Sequence, residues 1–245
     1  MCDDWTELYR PKGLSEVVGN PKVIKDLQQW ALSWEEGRPE FKAAVLMGPP
    51  GVGKTSAALA LAKDYNWGVV EMNASDQRNA DAIKRVAIRG SRSETFTDDG
   101  EFLSSKDGRL KLIILDEADN IFGREDSGGI PAIAELVAKT QQPVILIVND
   151  FYELSRKSSA IKNNTLQLKV SKVQAGTMRN VLRRIALDQG LEVPQRVFET
   201  VIENSNGDMR AAVRDLQAVS EGNLEIGEDD AFVLESRMSV RSMYD

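Results

Sequence analysis

The chain has 245 residues, 42% hydrophobic and 28% charged, with a formal net charge of −7. That length allows one large domain or two smaller ones, with a core that needs no disulfide or metal staple. There is no histidine and a single cysteine, Cys2, which excludes Ser-His-Asp and Cys-His catalysis, His-ligated zinc, disulfides and cysteine metal clusters. The start, Met1-Cys2-Asp3-Asp4-Trp5, lacks a basic segment followed by an apolar run, so no secretion signal is expected. A helix is predicted over 20–34, then a strand over 43–47, a glycine-rich loop and a helix over 54–65. A strand over 69–72 and a helix over 79–89 follow. Residues 91–109 are rich in Ser, Asp and Gly and are expected to be mobile, although Phe96 and Phe102 interrupt them. Next come a strand over 111–115, a second mobile stretch over 123–129, a helix over 130–140, and strands over 144–148 and 166–170.

These strands are near-continuously apolar, as strands buried on both faces of a parallel sheet are. Alternating with helices, they predict a doubly wound α/β domain. After residue 171 the strands stop, and three helical patterns follow over 174–189, 195–204 and 208–220. Gly190, Gly207 and Gly222 stand where helices end. The expected division is the α/β domain over 1–170, a helical domain over 171–235, with a helical start near 229–235, and a tail over 236–245. No stretch approaches the roughly 20 apolar residues of a membrane span, so no membrane contact and a cytoplasmic, reducing setting are expected.

Gly48-Pro49-Pro50-Gly51-Val52-Gly53-Lys54-Thr55 fits the phosphate-loop pattern G-x-x-x-x-G-K-[ST]. It lies between a predicted strand and a helix that continues through Ser56, which is the context the pattern needs. Gly51 and Gly53 let backbone N–H groups converge on phosphate oxygens. The helix N-terminus adds positive potential there. Lys54 is expected to reach the β- and γ-phosphates, and the Thr55 hydroxyl to ligate Mg2+.

Leu112-Ile113-Ile114-Leu115-Asp116-Glu117-Ala118-Asp119 is an apolar strand ending in carboxylates. Ligands of such sheets sit beyond the strands' carboxyl ends, so Asp116 should face the same crevice as Lys54. Asp116 is expected to hold Mg2+, and Glu117 to polarise the water that attacks the γ-phosphate. The strand 144–148 ends at Asn149, where an amide can orient that water, although asparagine after a strand is often only a turn residue.

Taken together, these segments resemble the AAA+ ATPases of the clamp-loader branch, and within it the large-subunit type of archaeal replication factor C. Trp5-Thr6-Glu7-Leu8-Tyr9-Arg10-Pro11 resembles the branch's N-terminal box, and Val17-Val18-Gly19-Asn20 follows at the branch's spacing. Glu71-Met72-Asn73-Ala74-Ser75-Asp76, Asp116-Glu117-Ala118-Asp119 (Walker B), Val148-Asn149 (sensor 1) and Gly207-Asp208-Met209-Arg210 (sensor 2) complete the series. The resemblance implies an α/β fold: an AAA+ P-loop NTPase with a five-stranded parallel sheet flanked by helices, followed by a small all-helical lid domain. It implies an adenine pocket of Tyr9, Arg10, Pro11, Val17 and Val18, and an ATP site completed by Gly48, Pro50, Gly51, Val52, Gly53, Lys54, Thr55 and Ser56. Asn149 becomes sensor 1, and Arg210 a lid residue that reaches the γ-phosphate. ATP and Mg2+ are the implied ligands. The implied partners are clamp-loader small subunits in a hetero-oligomer, by analogy a pentamer, with a DNA sliding clamp and primer–template DNA.

Two departures qualify the resemblance. Small subunits of the branch carry a Ser-Arg-Cys motif before their last strand, whose arginine acts in the neighbour's site. Here the region reads Ala160-Ile161-Lys162-Asn163-Asn164-Thr165, so this chain is expected to receive an arginine finger and not to give one. The helical collar of the branch is also absent, so the chain is either a shortened form or partners a collar carried elsewhere.

The −7 average speaks against a wholesale nucleic-acid coat, yet Arg78, Lys84, Arg85, Arg89 and Arg92 face a single acid, Asp81, over 78–92. Charge alone leaves a solvated helix face and a DNA-phosphate contact equally open. The resemblance implies the second. Gly128-Gly129-Ile130 is a weaker phosphate candidate. Ile88, Phe96 and Phe102 can plug into a sliding clamp or fold back on the domain. Two other functions compete: a branch-migration type of AAA+ motor, and a scaffold that binds ATP without hydrolysing it. The missing arginine finger speaks against the first, and intact Lys54, Asp116 and Glu117 against the second.

Overall fold

A computed structural model describes residues 4–73, 94–96, 102–104, 109–120 and 129–220; for 94–96 and 102–104 it describes the backbone alone. Short helix α1 (Trp5–Leu8) and a 3-10 turn (Leu14–Glu16) lead into α2 (Pro21–Glu35). The sheet domain continues as β1 (Ala43–Met47), α3 (Lys54–Asp64), β2 (Gly68–Asn73), β3 (Glu94–Phe96), β4 (Phe102–Ser104) and β5 (Lys111–Asp116). It closes with α4 (Gly129–Lys139), β6 (Val144–Val148), α5 (Tyr152–Lys157), α6 (Ser159–Asn163) and β7 (Thr165–Lys169). Helices α7 (Ala175–Asp188), α8 (Gln195–Ser205) and α9 (Met209–Ser220) follow.

Five strands pair in parallel in the order β2-β5-β6-β1-β7. Alternate residues of each central strand feed opposite faces. Ala44, Leu46, Leu112, Ile114, Ile145 and Ile147 pack with α2 and α3. Ala43, Val45, Ile113, Leu115, Val144 and Leu146 pack with α4, α5 and α6 through Ile133, Leu136, Leu154 and Ile161. Apolar residues at successive positions are thus required over 43–47, 112–115 and 144–148. Strand β2 is half exposed because it lies at one end of the strand order. Between β5 and β1 sits β6, so the carboxyl ends of these three strands open onto one crevice.

The third cluster is helical. Met178, Leu182, Ile185, Val197, Phe198, Val201, Ala212 and Leu216 of α7–α9 enclose Trp5 of α1, with Tyr9 at its margin. The first helix therefore packs with α7–α9 and not on the sheet. The Trp5 backbone N–H donates to Gln217 (3.0 Å), and Trp5 meets Tyr9 edge-on.

All five predicted strands and the predicted helices inside the described residues form, with ends moved by one residue at most. The predicted helix 79–89, the helical start at 229–235, Gly222 and the tail 236–245 lie outside those residues, as does most of 123–129. Helices α1, α5 and α6 and the 3-10 turn escape sequence reading, since elements this short show no full helical period. The stretch expected to be mobile needs correction: within 91–109, β3 and β4 pair antiparallel with Phe96 opposite Phe102. Aromatic and β-branched residues favour strands, which outweighs the polar composition around them. Among the described residues no helix is long and apolar enough to cross a membrane.

Candidate functional site

The loop after β1 bends on left-handed glycines. Gly53 has φ +92°, with open space where a Cβ would stand, so backbone conformation alone asks for glycine there. Gly51 has φ +67°, and a Cβ on it would overlap the Asp208 carboxylate. The loop then feeds α3, which begins at Lys54 with Gly53 at its cap.

Lys54 is 7% exposed, and its Nζ donates to the Gly48 carbonyl (2.6 Å), the Pro49 carbonyl (2.7 Å) and Asn149 Oδ1 (3.0 Å). Burial holds its pKa below the ordinary 10.5, aided by the Arg210 charge and opposed by Asp116, Asp119 and Asp208. Thr55 Oγ1 donates to Asp116 Oδ2 (2.8 Å), while Asp116 Oδ1 accepts the Glu117 N–H (2.8 Å). Glu117 sits in left-handed backbone at φ +52°, which costs a non-glycine residue about 1–3 kcal/mol and recurs at functional sites. Its carboxylate accepts from the Asn120 amide at 3.2 Å.

Sequence reasoning placed Lys54, Thr55, Asp116, Glu117, Asn149 and Arg210 at one site, and the structure brings them around one recess. Arg210, exposed near the start of α9, lines this recess and the adjoining one. The adjoining recess is walled by Tyr9, Arg10, Pro11, Val17 and Val18, by Gly51, Val52, Gly53 and Ser56, and by Ile185 and Met209 of the helical cluster. Its lining mixes apolar Pro11, Val17, Val18 and Ile185 with the cations Arg10, Arg184 and Arg210. The Tyr9 hydroxyl donates to Asp188 and accepts from Gln189, tying this wall to the end of α7. Asn20 clasps Ser171 by two hydrogen bonds (2.8 and 2.9 Å) and so joins the 17–20 segment to the exit of β7.

Several contributors were not predicted. Asp119 accepts from the backbone N–H groups of Asn149 and Asp150. Asp208 caps α9 through the Ala211 N–H (2.8 Å), and the Met209 N–H donates to the Gly51 carbonyl (3.0 Å). Both aspartates stand inside quoted motifs, but their contacts join segments distant in sequence. Arg184 and Ile185 line the adjoining recess with no motif signal at all, and Met209 lines it from within the Gly207–Arg210 motif without having been assigned a role.

Among the described residues no cluster of three or more His, Cys, Asp or Glu could hold a metal alone. The Thr55–Asp116 oxygen pair nevertheless fits Mg2+, which takes one or two hard protein oxygens and completes its shell with water and phosphate. Arg78, Lys84, Arg85, Arg89, Arg92, Ile88 and Gly128 lie outside the described residues; Gly129 and Ile130 open α4.

The family of ATPases associated with various cellular activities (AAA) matches residues 44–148. The replication factor C large subunit of Archaeoglobus fulgidus is 46% identical over 94% of this chain and 47% of its own length. That of Methanococcoides burtonii is 43% identical over 93% of this chain and 44% of its own length. The chain thus spans about half the length of the curated relatives it matches. Among solved structures, the Thermotoga maritima RuvB Holliday junction branch migration motor aligns with a TM-score of 0.67 at 19% identity, covering 94% of this chain and 72% of that one. At that identity the likeness is one of fold.

Proposed function

From the match of residues 44–148 to the AAA ATPase family, and the similarity of most of the chain to archaeal replication factor C large subunits, we propose that it is an ATP-hydrolysing subunit of a clamp loader. Such an assembly opens the DNA sliding clamp and loads it at primer–template junctions during replication. The observation that carries this reading is the convergence of Lys54, Asn149, Thr55, Asp116, Glu117 and Arg210 on one crevice beside the adjoining recess.

Adenine sits among Tyr9, Arg10, Pro11, Val17 and Val18, and the triphosphate runs along Gly48–Ser56 to Lys54. Thr55 and Asp116 would hold Mg2+, which neutralises charge on the β- and γ-oxygens. Glu117 accepts the proton of the attacking water, Asn149 orients that water, and Arg210 brings lid charge to the γ-phosphate. The domain division follows the sheet and the helical cluster, near residue 170. In this reading a neighbouring subunit supplies the arginine finger. Such fingers raise phosphoryl-transfer rates by about 10³–10⁵. The isolated chain is therefore a slow ATPase. Arg78, Lys84, Arg85 and Arg89 contact DNA phosphates, and the protein works inside the cell at the nucleoid with small subunits and clamp, in a hetero-oligomer proposed to be a pentamer.

Glu117→Gln tests the chemistry. Isothermal titration should give ATP affinity within about 3-fold of the native chain, while hydrolysis falls by about 10²-fold or more. Hydrolysis no faster than background in both proteins would leave only a nucleotide-binding scaffold, and equal hydrolysis above background would remove Glu117 from this role.

A further inference from the structure

Asp119 is the last acid of the run Asp116-Glu117-Ala118-Asp119, and none of the roles above uses it. The residue is 8% exposed. Its Oδ2 accepts two backbone N–H groups, from Asn149 (2.8 Å) and Asp150 (2.9 Å). Its Oδ1 is buried and takes no hydrogen bond among the described residues. A bond from the Ala118 N–H to the Ile147 carbonyl (2.9 Å) draws the ends of β5 and β6 together just before this contact. A single carboxylate oxygen thus pins the chain where β6 gives way to the turn, and the Asn149 side chain on that turn receives Lys54 Nζ at 3.0 Å. A buried, half-satisfied carboxylate is costly to keep. Its negative charge acts on Lys54, which is itself buried.

We propose that Asp119 is a positioning residue for hydrolysis: it holds the 149–150 turn so that the Asn149 amide stays against Lys54 and faces the attacking water. The proposal rests on the ATPase reading. Asp119 acts through Asn149 and touches neither nucleotide nor water. Displacement of a positioned group by about 1 Å can lower a rate by about 10²-fold, which sets the size of effect to look for.

The test combines two measurements on the whole chain. Hydrogen exchange of the 149–150 amides should quicken by about 10-fold or more in Asp119→Ala, whether or not ATP is hydrolysed. In single-turnover hydrolysis, Asp119→Ala should lose about 10–100-fold in rate with ATP affinity changed by less than about 3-fold. Asp119→Asn keeps one carbonyl oxygen for both donors and should recover the rate to within about 5-fold of native. Where Asp119→Ala is too unstable to purify, Asp119→Asn carries both measurements, and a loss as large as that of Asn149→Ala overturns the proposal. In an Asn149→Ala background, Asp119→Ala should cost nothing further. In Asp119→Ala, unchanged exchange, an unchanged rate, a loss confined to affinity, or losses that multiply in the double variant would each overturn it. Lys54→Ala is the control: without Lys54-dependent hydrolysis the ATPase reading fails, and the exchange measurement still decides whether Asp119 holds the turn.

Discussion

Gly51 meets two demands at once: a left-handed backbone at φ +67°, and a lid loop so close that the Asp208 carboxylate occupies the space of a Cβ. Its carbonyl also accepts the Met209 N–H. Gly51→Ala therefore strains the loop and pushes the start of α9 away. ATP affinity should fall by about 10-fold or more in a titration, from roughly 1–2 kcal/mol of backbone strain plus the displaced lid contact. An unchanged Kd would make that contact dispensable. Lys54 gives a pH signature. Burial lowers its pKa below 10.5, so its charge disappears at a lower pH than a free lysine's. Affinity for an anionic triphosphate is full below that folded-state pKa and falls above it. Nucleotide Kd measured from neutral pH upward should rise before 10.5 is reached, and a flat profile to that value would contradict the assignment. The phosphate loop was legible in sequence because its ligands are consecutive. The contacts of Asp119 with Asn149 and of Asp208 with Gly51 were not, because each joins chain segments that only the folded sheet and lid bring together.

Strands β1, β5 and β6 were readable because burial on both faces writes itself as unbroken apolar sequence. Helix α1 was not. Four residues carry no period, and the partner of Trp5 is the cluster of α7–α9 near the other end of the described chain. Its placement has a mechanical meaning. Tyr9, Arg10 and Pro11 line the recess and are tied to the helical cluster through Trp5 and the Tyr9–Asp188 bond, while Val17 packs with the sheet-side core. A base bound there, as proposed, would bridge the two. Trp5 is 6% exposed, and Trp5→Ala should cost about 3–5 kcal/mol of packing. Thermal melting should show the loss, and nucleotide should restore less of the midpoint than in the native chain. A midpoint within experimental error of native would show that α1 does not belong to that cluster.

The net charge of −7 concealed a strip of cations over 78–92, which are proposed to meet DNA phosphates. Neutralising Arg85 and Arg89 should weaken primer–template binding by the assembled loader and flatten the log–log salt slope by about 0.9 for each phosphate no longer neutralised. An unchanged slope would remove both residues from the interface. The absence of histidine fits chemistry that runs on Lys54, Thr55, Asp116, Glu117 and arginine alone. Composition could exclude mechanisms, and motif order could point to the nucleotide, but the arginine finger proposed to come from another polypeptide lies beyond both. The decisive measurement is ATP turnover by this chain combined with clamp-loader small subunits, with and without sliding clamp and primed DNA. Clamp and primed DNA should each raise turnover, by about 10-fold or more together given the size of arginine-finger effects, and Lys54→Ala should abolish the rise. Turnover indifferent to both, or undiminished in Lys54→Ala, would contradict a clamp-loading ATPase.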